Sequence, residues 1–269
     1  MRPRTYTDLL TFPWESRMTA DFFVPSDWYQ SFFTVPVMRF WEAAVPAEAT
    51  AAEVAFVVRH LGMPSPATIL DVPCGVGRHS RALAKAGFIV VGFDISEAAL
   101  DRARAHARAE NVAVRFVHAD MLQLEAETPS DAIICLGNSI GYFEPARTES
   151  LLRRFAAALH VGGRLIIDTS ICAESLLPIA ADRRFAFPGG SYVQEIAYDA
   201  VRSILKTRAQ LTIDGETHEL RYRHFVMTSG ELVRSLSTAG FDACGLYGDT
   251  QDAAFGPGSP RLLLVAVRR

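Results

Sequence analysis

The chain has 269 residues, of which 49% are hydrophobic, and a formal net charge of −3 at pH 7. That length allows one large α/β domain, or a domain with a lid, around a sizeable core. The slight negative balance gives no general attraction to phosphate backbones, and no apolar run approaches the ~20 residues of a membrane span.

The four cysteines, Cys74, Cys135, Cys172 and Cys244, form no CxxC pair, so neither a zinc site nor a disulfide framework is expected. Met1–Tyr6 is not followed by the apolar segment of a secretory leader, so a soluble cytoplasmic protein is expected. Residues 1–46 are rich in aromatics, among them Phe12, Trp14, Trp28, Tyr29, Phe32, Phe33 and Trp41. Prolines 13, 25, 36 and 46 cut this stretch into short pieces. Two readings stand side by side: an apolar strap on the sheet edge, or a cover that excludes water from a cleft. In the second, Trp28-Tyr29 and Phe32-Phe33 share a short helix.

Ala47–Leu61 reads as a helix with Ala51, Val54, Val57, Val58 and Leu61 inward, stopped by Gly62 and the prolines at 64 and 66. Thr68–Val72 is the first strand, with Asp71 near its end. Gly75 and Gly77 then permit a tight turn into a helix that begins near Arg78. A strand, a glycine turn and a helix N-terminus form a ligand cradle. A dinucleotide fingerprint needs a third glycine, and Ser80 stands in that place. The second strand, Phe88–Phe93, ends in Asp94, which lies 19 positions after Gly75. An acid so placed can accept hydrogen bonds from both ribose hydroxyls of an adenosine ligand. It can also cap the next helix, although Ser96 offers an alternative cap.

The helix Glu97–Glu110 carries mixed charges and reads as a solvated face. Val112–Val117 alternates as a third strand, followed by Asp120-Met121. Asp131–Gly137 is apolar enough to be a strand buried on both faces, and it opens into Asn138–Phe143. Ligands of such folds sit beyond the carboxyl ends of the strands, which places Asn138 and Tyr142 near the chemistry. A helix over Arg147–His160 and a fifth strand, Arg164–Asp168, follow. Between 170 and 225 the period changes. Tyr192–Tyr198, Arg202–Thr212 and Glu219–Met227 read as antiparallel strands with a turn at Asp214-Gly215. Thr228-Ser229-Gly230-Glu231 resembles a capping box, opening a helix to Thr238. Phe241–Tyr247 and Arg261–Val267 end the chain as an antiparallel pair.

Asp71…Gly75-Val76-Gly77, Asp94 and Asp120-Met121, with the strand order around them, resemble the class I S-adenosylmethionine (SAM) dependent methyltransferases, over roughly residues 47–170 and 228–269. Val72–Ser80 and Gly137–Phe143 further resemble bacterial members that act on small molecules. Pro73 departs from the family, where glycine is common. The Asn-Pro-Pro-aromatic motif of enzymes that methylate nucleic acids and glutamine is absent at 138–141, which speaks against those substrates.

The resemblance implies an α/β, doubly wound, Rossmann-like sheet of seven mostly parallel strands with a C-terminal antiparallel hairpin, plus a small antiparallel β lid. Together with the aromatic segment and the change of period read above, it divides the chain into an aromatic cover (1–46), a SAM-binding core (47–170), a β insertion (171–227) and the rest of the core (228–269). The implied cofactor-binding residues are Asp71, Cys74, Gly75, Gly77, Asp94, Ile95, Asp120, Met121, Leu136 and Tyr29, with Asp120 toward the adenine amino group. Asn138 and Tyr142 are the positioning candidates, and no metal is expected. The expected partner is a small-molecule acceptor at N, O or C, with no nucleic acid or membrane, and the insertion offers a homodimer contact.

An amine of pKa ~10 costs only ~4 kcal/mol to deprotonate at pH 7, whereas alignment supplies ~7–11 kcal/mol, so no strong base is required. His79, His118, His160, His218 and His224 are the reservoir for one, and His224, on the lid, has the best location. The competing readings are a nicotinamide-dependent oxidoreductase on the same cradle and a SAM-fold binding protein without turnover.

Overall fold

A computed structural model of the chain describes residues 22–177 and 181–269. Tyr6, Phe12 and Trp14 therefore lie outside the described residues.

Two short helices, α1 (Tyr29–Phe32) and α2 (Val35–Ala44), precede α3 (Ala47–Leu61). The parallel layer then builds as β1 (Thr68–Asp71), α4 (Arg78–Lys85), β2 (Ile89–Asp94), α5 (Glu97–Ala109), β3 (Arg115–His118), β4 (Ser130–Cys135), α6 (Pro145–Ala157) and β5 (Leu159–Thr169). After the short α7 (Ala173–Leu176) come β6 (Arg183–Phe187), β7 (Gly190–Asp199), β8 (Ile204–Ile213) and β9 (Glu216–Phe225). The chain closes with α8 (Ser229–Thr238), β10 (Phe241–Tyr247) and β11 (Leu262–Arg268).

Strand alternation builds the core. Ile69, Ile134 and Ile166 pack with Phe56, Leu61 and Leu83 of α3 and α4. Their neighbours Leu70, Ile133 and Leu165 point to the opposite face and meet Leu151, Phe155 and Leu236 of α6 and α8. The seven strands lie in the order β10-β11-β5-β4-β1-β2-β3. β11 runs antiparallel to both β5 and β10, so it is the reversed strand of this sheet. The order turns back between β1 and β4, where the carboxyl ends of the strands leave a crevice.

Local departures from the expected elements have local causes. The third strand starts only at Arg115, because the Val112 N–H is still bound to Ala107 O at the end of α5. Helix α6 stops before His160, since Leu159 already pairs with Ser130 of β4. On α3, Val58 is exposed and Phe56 is buried instead, beside an unexpected buried acid, Glu53. The capping box at Thr228 and Glu231 is present.

The insertion is a four-stranded antiparallel sheet, β6-β7-β8-β9, one strand more than the residue pattern indicates. β8 and β9 join through Asp214 and Gly215, both at positive φ, as a tight hairpin requires. Helix α2 packs against this sheet through Val37 and Phe40, which meet Tyr192, Ala209 and Leu211.

Candidate active site

The turn after β1 is shaped by what lies beneath it. Asp71 is 1% exposed and accepts a hydrogen bond from Ser80 Oγ at 2.5 Å. Its other oxygen has no partner among the described residues. Burial pushes its carboxyl up, against the lowering influence of His79 and Ser80. Gly77 caps α4 at φ +70, and a Cβ there would fall 2.8 Å from the Phe116 ring. Neither Asp71 nor Gly77 lines the cavity above, so both stand behind the wall, apart from the other candidate cofactor residues. The reason is packing: Ser80, on the buried side of α4, draws the Asp71 carboxylate under the loop, and Phe116 closes over Gly77.

That cavity measures about 1020 Å³. Cys74, Gly75, Asp94, Ile95, Asp120, Met121 and Leu136 all line it. Asp94 is 6% exposed at the tip of β2 and organises two loops. Its Oδ2 accepts from the Gly75 N–H and its Oδ1 from the Ser96 N–H, each at 2.8 Å. Burial pushes this carboxyl up, only partly offset by those amides. Ser96 itself caps α5 through the Ala99 N–H. Asp120 caps the 3-10 turn Met121–Gln123 by accepting from the Leu122 N–H at 2.9 Å.

The cavity continues beyond β4. Asn138 adopts φ +72, and its Oδ1 accepts from the Ser170 N–H at 2.6 Å, which ties the end of β4 to the end of β5. Gly141 passes so close to the lid that a Cβ would lie 3.3 Å from Phe225 O. Tyr142 is buried, and burial raises its phenol despite a hydrogen bond with Ser139.

Two further segments close the space. Trp28, Tyr29, Phe32 and Phe33 line it from the N-terminal side. Trp28 meets Tyr142 edge-on with centroids 5.0 Å apart and also meets Tyr222 of β9 at 5.7 Å. The insertion contributes Arg183, Gln194, Thr207, Tyr222 and His224. Among the described residues, the insertion places no carboxylate on the cavity wall. Of these, His224 is the histidine singled out in the sequence, while Arg183, Gln194, Thr207 and Tyr222 are not marked there. Tyr222 and His224, two apart on one strand, share a face by the period-2 rule, which was the available signal.

The histidines separate by environment. His160 is exposed, His118 binds Ile95 O, and His218 sits near Glu216 on the hairpin. His79 lines the cavity but is held by Glu53 at 2.8 Å. His224 also lines the cavity, 7% exposed, and burial alone pushes it down to about 4. Below the cavity floor Glu53 gathers Arg78 at 2.5 Å, His79, and Arg261 at 2.9 Å, and Arg261 in turn grips Asp168. Burial raises the Glu53 carboxyl, but the His79 hydrogen bond and the surrounding cations together hold it well below the usual range.

A switch-point crevice with an acid at the second strand tip, under a roofed cavity, fits an adenosine-bearing ligand. Residues 69–163 match the family model described as a methyltransferase domain. The chain is 30% identical to the glycine/sarcosine N-methyltransferase of Parasynechococcus marenigrum, over 84% of this chain and 81% of that protein. It is 28% identical to the dTDP-3-amino-3,6-dideoxy-alpha-D-glucopyranose N,N-dimethyltransferase of Streptomyces fradiae, over 71% of this chain and 75% of that protein. The CcbJ methyltransferase of Streptomyces caelestis shares the fold with a TM-score of 0.78 at 16% identity, over 89% of this chain and 98% of that one.

The chain belongs to the class I SAM-dependent methyltransferases. SAM is its methyl donor, and the nicotinamide oxidoreductase reading is set aside. No helix among the described residues is long and apolar enough to cross a membrane.

Proposed function

We propose that this enzyme methylates an amine nitrogen of a small-molecule acceptor, by alignment and exclusion of water. The observation that carries this reading is the acceptor side of the cavity. Trp28, Phe32, Tyr142 and Tyr222 wall it with rings, the lid adds no carboxylate among the described residues, and His224 is held uncharged. Such a wall lacks the strong base that a carbon acid requires. A neutral amine needs only to be positioned. The names of the two relatives, both N-methyltransferases, support the same reading.

The residues present fit the cofactor. Gly75 leaves open space where a Cβ would stand, so a ligand can approach its backbone. Each Asp94 oxygen has a lone pair beyond the amide it already accepts, enough for two ribose hydroxyls. Asp120 and Met121 would meet the adenine, with Ile95 and Leu136 against the rings, while Asp71 would act from beneath the turn by its charge. A volume near the upper end for one drug-sized ligand leaves room for both cofactor and a small acceptor. SAM supplies a methyl group already activated on sulfonium. Tyr142 would orient the acceptor, and Asn138 would hold the β4 loop that presents it. Trp28 and Tyr29 would keep water out.

The test is incubation with labelled SAM and matched amine, phenol and carbon-acid acceptors, with the product read by mass and NMR. Methyl on nitrogen is the expected result. Methylation confined to oxygen or carbon would overturn the proposal.

A further inference from the structure

Among the described residues, the lysine and arginine side chains that line the cavity are Arg78, Arg81, Lys85 and Arg183. The first three are already neutralised. Arg78 binds Glu53 at 2.5 Å, and Arg81 and Lys85 share Glu110 at 3.0 and 2.8 Å. Arg183 differs: its guanidinium has no hydrogen bond or ion pair among the described residues. Strand register sets where it faces. Arg183 lies directly opposite Gln194, and Ile196, two residues on, lies opposite Thr207, which lies opposite Tyr222. Directly paired residues, and residues two apart on one strand, share a face of the sheet. Gln194, Ile196, Thr207 and Tyr222 line the cavity together with Arg183, so this is the cavity face. The adjoining carboxylates are engaged elsewhere: Asp182 accepts from the Ile196 N–H at 3.1 Å, and Glu195 pairs with Arg208. The Gln194 side chain also has no partner among the described residues. The inner end of the same wall is built of rings, with Tyr222 and His224 packed on Trp28 at centroid distances of 5.7 and 5.9 Å.

We propose that Arg183, with Gln194 beside it, holds an anionic group of the acceptor, a carboxylate or a phosphate, so that the substrate is an amine with a negative charge at its far end. A guanidinium presents N–H donors in a planar fork that matches either oxyanion, and the amide of Gln194 adds another donor. Arg183 is exposed and β6 is an edge strand, so the anion keeps part of its water and avoids the cost of full burial. Among the described residues the insertion places no carboxylate on this wall to repel it. Strand spacing bears on the length of the substrate. β6 is three strands from β9, and at about 4.8 Å per strand their backbones stand about 14 Å apart. Arg183 reaches back over part of that span, since its charge opposes the burial-driven rise of the Tyr222 phenol. The anion therefore sits several bonds from the nitrogen, which the ring wall directs toward Tyr142. Arg183 determines specificity and takes no part in moving the methyl group.

This inference rests on the amine reading, and its test separates the two. The protein loaded with S-adenosylhomocysteine is titrated by calorimetry with ω-amino carboxylates of two to six carbons. The ω-aminoalkyl phosphates and the plain alkylamines of the same lengths are titrated alongside. Among the longer members, an anionic amine should bind about tenfold or more tightly than its alkylamine. That preference should shrink as salt is raised. The series with the larger preference identifies the oxyanion. Arg183→Gln should erase the preference and leave S-adenosylhomocysteine affinity unchanged, which shows that the variant is folded. Arg183→Lys, which keeps the charge without the fork, should retain part of it.

No preference at any length, or a preference that survives Arg183→Gln, overturns the anion site. So does a loss of S-adenosylhomocysteine affinity in Arg183→Gln, which would assign Arg183 to the carboxylate of the cofactor. If the preference holds but labelled SAM puts the methyl group on oxygen, the anion site stands and the amine reading falls. N-methylation with no preference for the anionic amines gives the reverse.

Discussion

His224 has an imidazole that water would leave near 6.5, buried until it titrates at about 4. Above pH 6.5 neither the folded nor the unfolded chain carries this proton, so stability is unaffected. As pH falls from 6.5 toward 4 the unfolded chain takes it up first, and the folded state loses ground. At pH 5 the loss from this one residue is about 2 kcal/mol. His224→Phe should therefore lose less stability than the parent between pH 7 and pH 5, measured by urea unfolding at both. Equal losses would show that His224 is hydrated in the native protein. Asp94 is the corresponding residue on the proposed cofactor side. Replacing it with alanine would also release the Gly75 and Ser96 amides, so Asp94→Asn is the cleaner variant. It should weaken SAM binding about tenfold or more in calorimetry, because it keeps only one acceptor oxygen.

At the scale of elements, the turn from β1 into α4 depends on a backbone conformation as well as on space. Gly77→Ala would put a Cβ into a positive-φ position and against Phe116. A destabilisation of about 1–3 kcal/mol is expected from thermal or urea unfolding. The Glu53 cluster joins α3, the start of α4 and the segment leading into β11, whose residues are far apart in sequence. Glu53→Ala would leave Arg261 and Arg78 without their shared carboxylate in a largely buried place. Such a loss typically costs about 3–5 kcal/mol, readable as a lowered urea midpoint. Within these elements much was legible beforehand. The strand tips at Asp71 and Asp94 and the capping box at Thr228 follow from period and cap chemistry. Glu53 was not legible, because a glutamate in a helix reads as solvated until its partners, distant in the chain, are known.

Taken as a whole, the molecule is a cofactor-side sheet roofed by two segments that hold one another. Phe40 of α2 is 1% exposed and stacks on Tyr192 with centroids 4.8 Å apart and planes 8° from parallel. This contact lies between cover and lid, away from the cradle. Phe40→Ala should cost about 3–5 kcal/mol at that joint. If the roof serves mainly the acceptor, turnover with a competent amine should fall while SAM affinity holds, and a parallel loss of SAM binding would contradict that view.

The local pattern of this chain was enough to determine most of the order of strands and helices, the glycine turn and the acids at the strand tips, whereas the kind of cofactor came from the family resemblance. Each of those local features depends on neighbours in sequence: alternation, capping, and a turn that needs residues without Cβ. Tertiary structure alone decided that Asp71 and Gly77 stand behind the cavity wall, that β11 is the reversed strand between β5 and β10, and that His224 faces Trp28. Those facts depend on which distant surfaces exclude water together, and burial of that kind is set by contacts that no stretch of sequence contains.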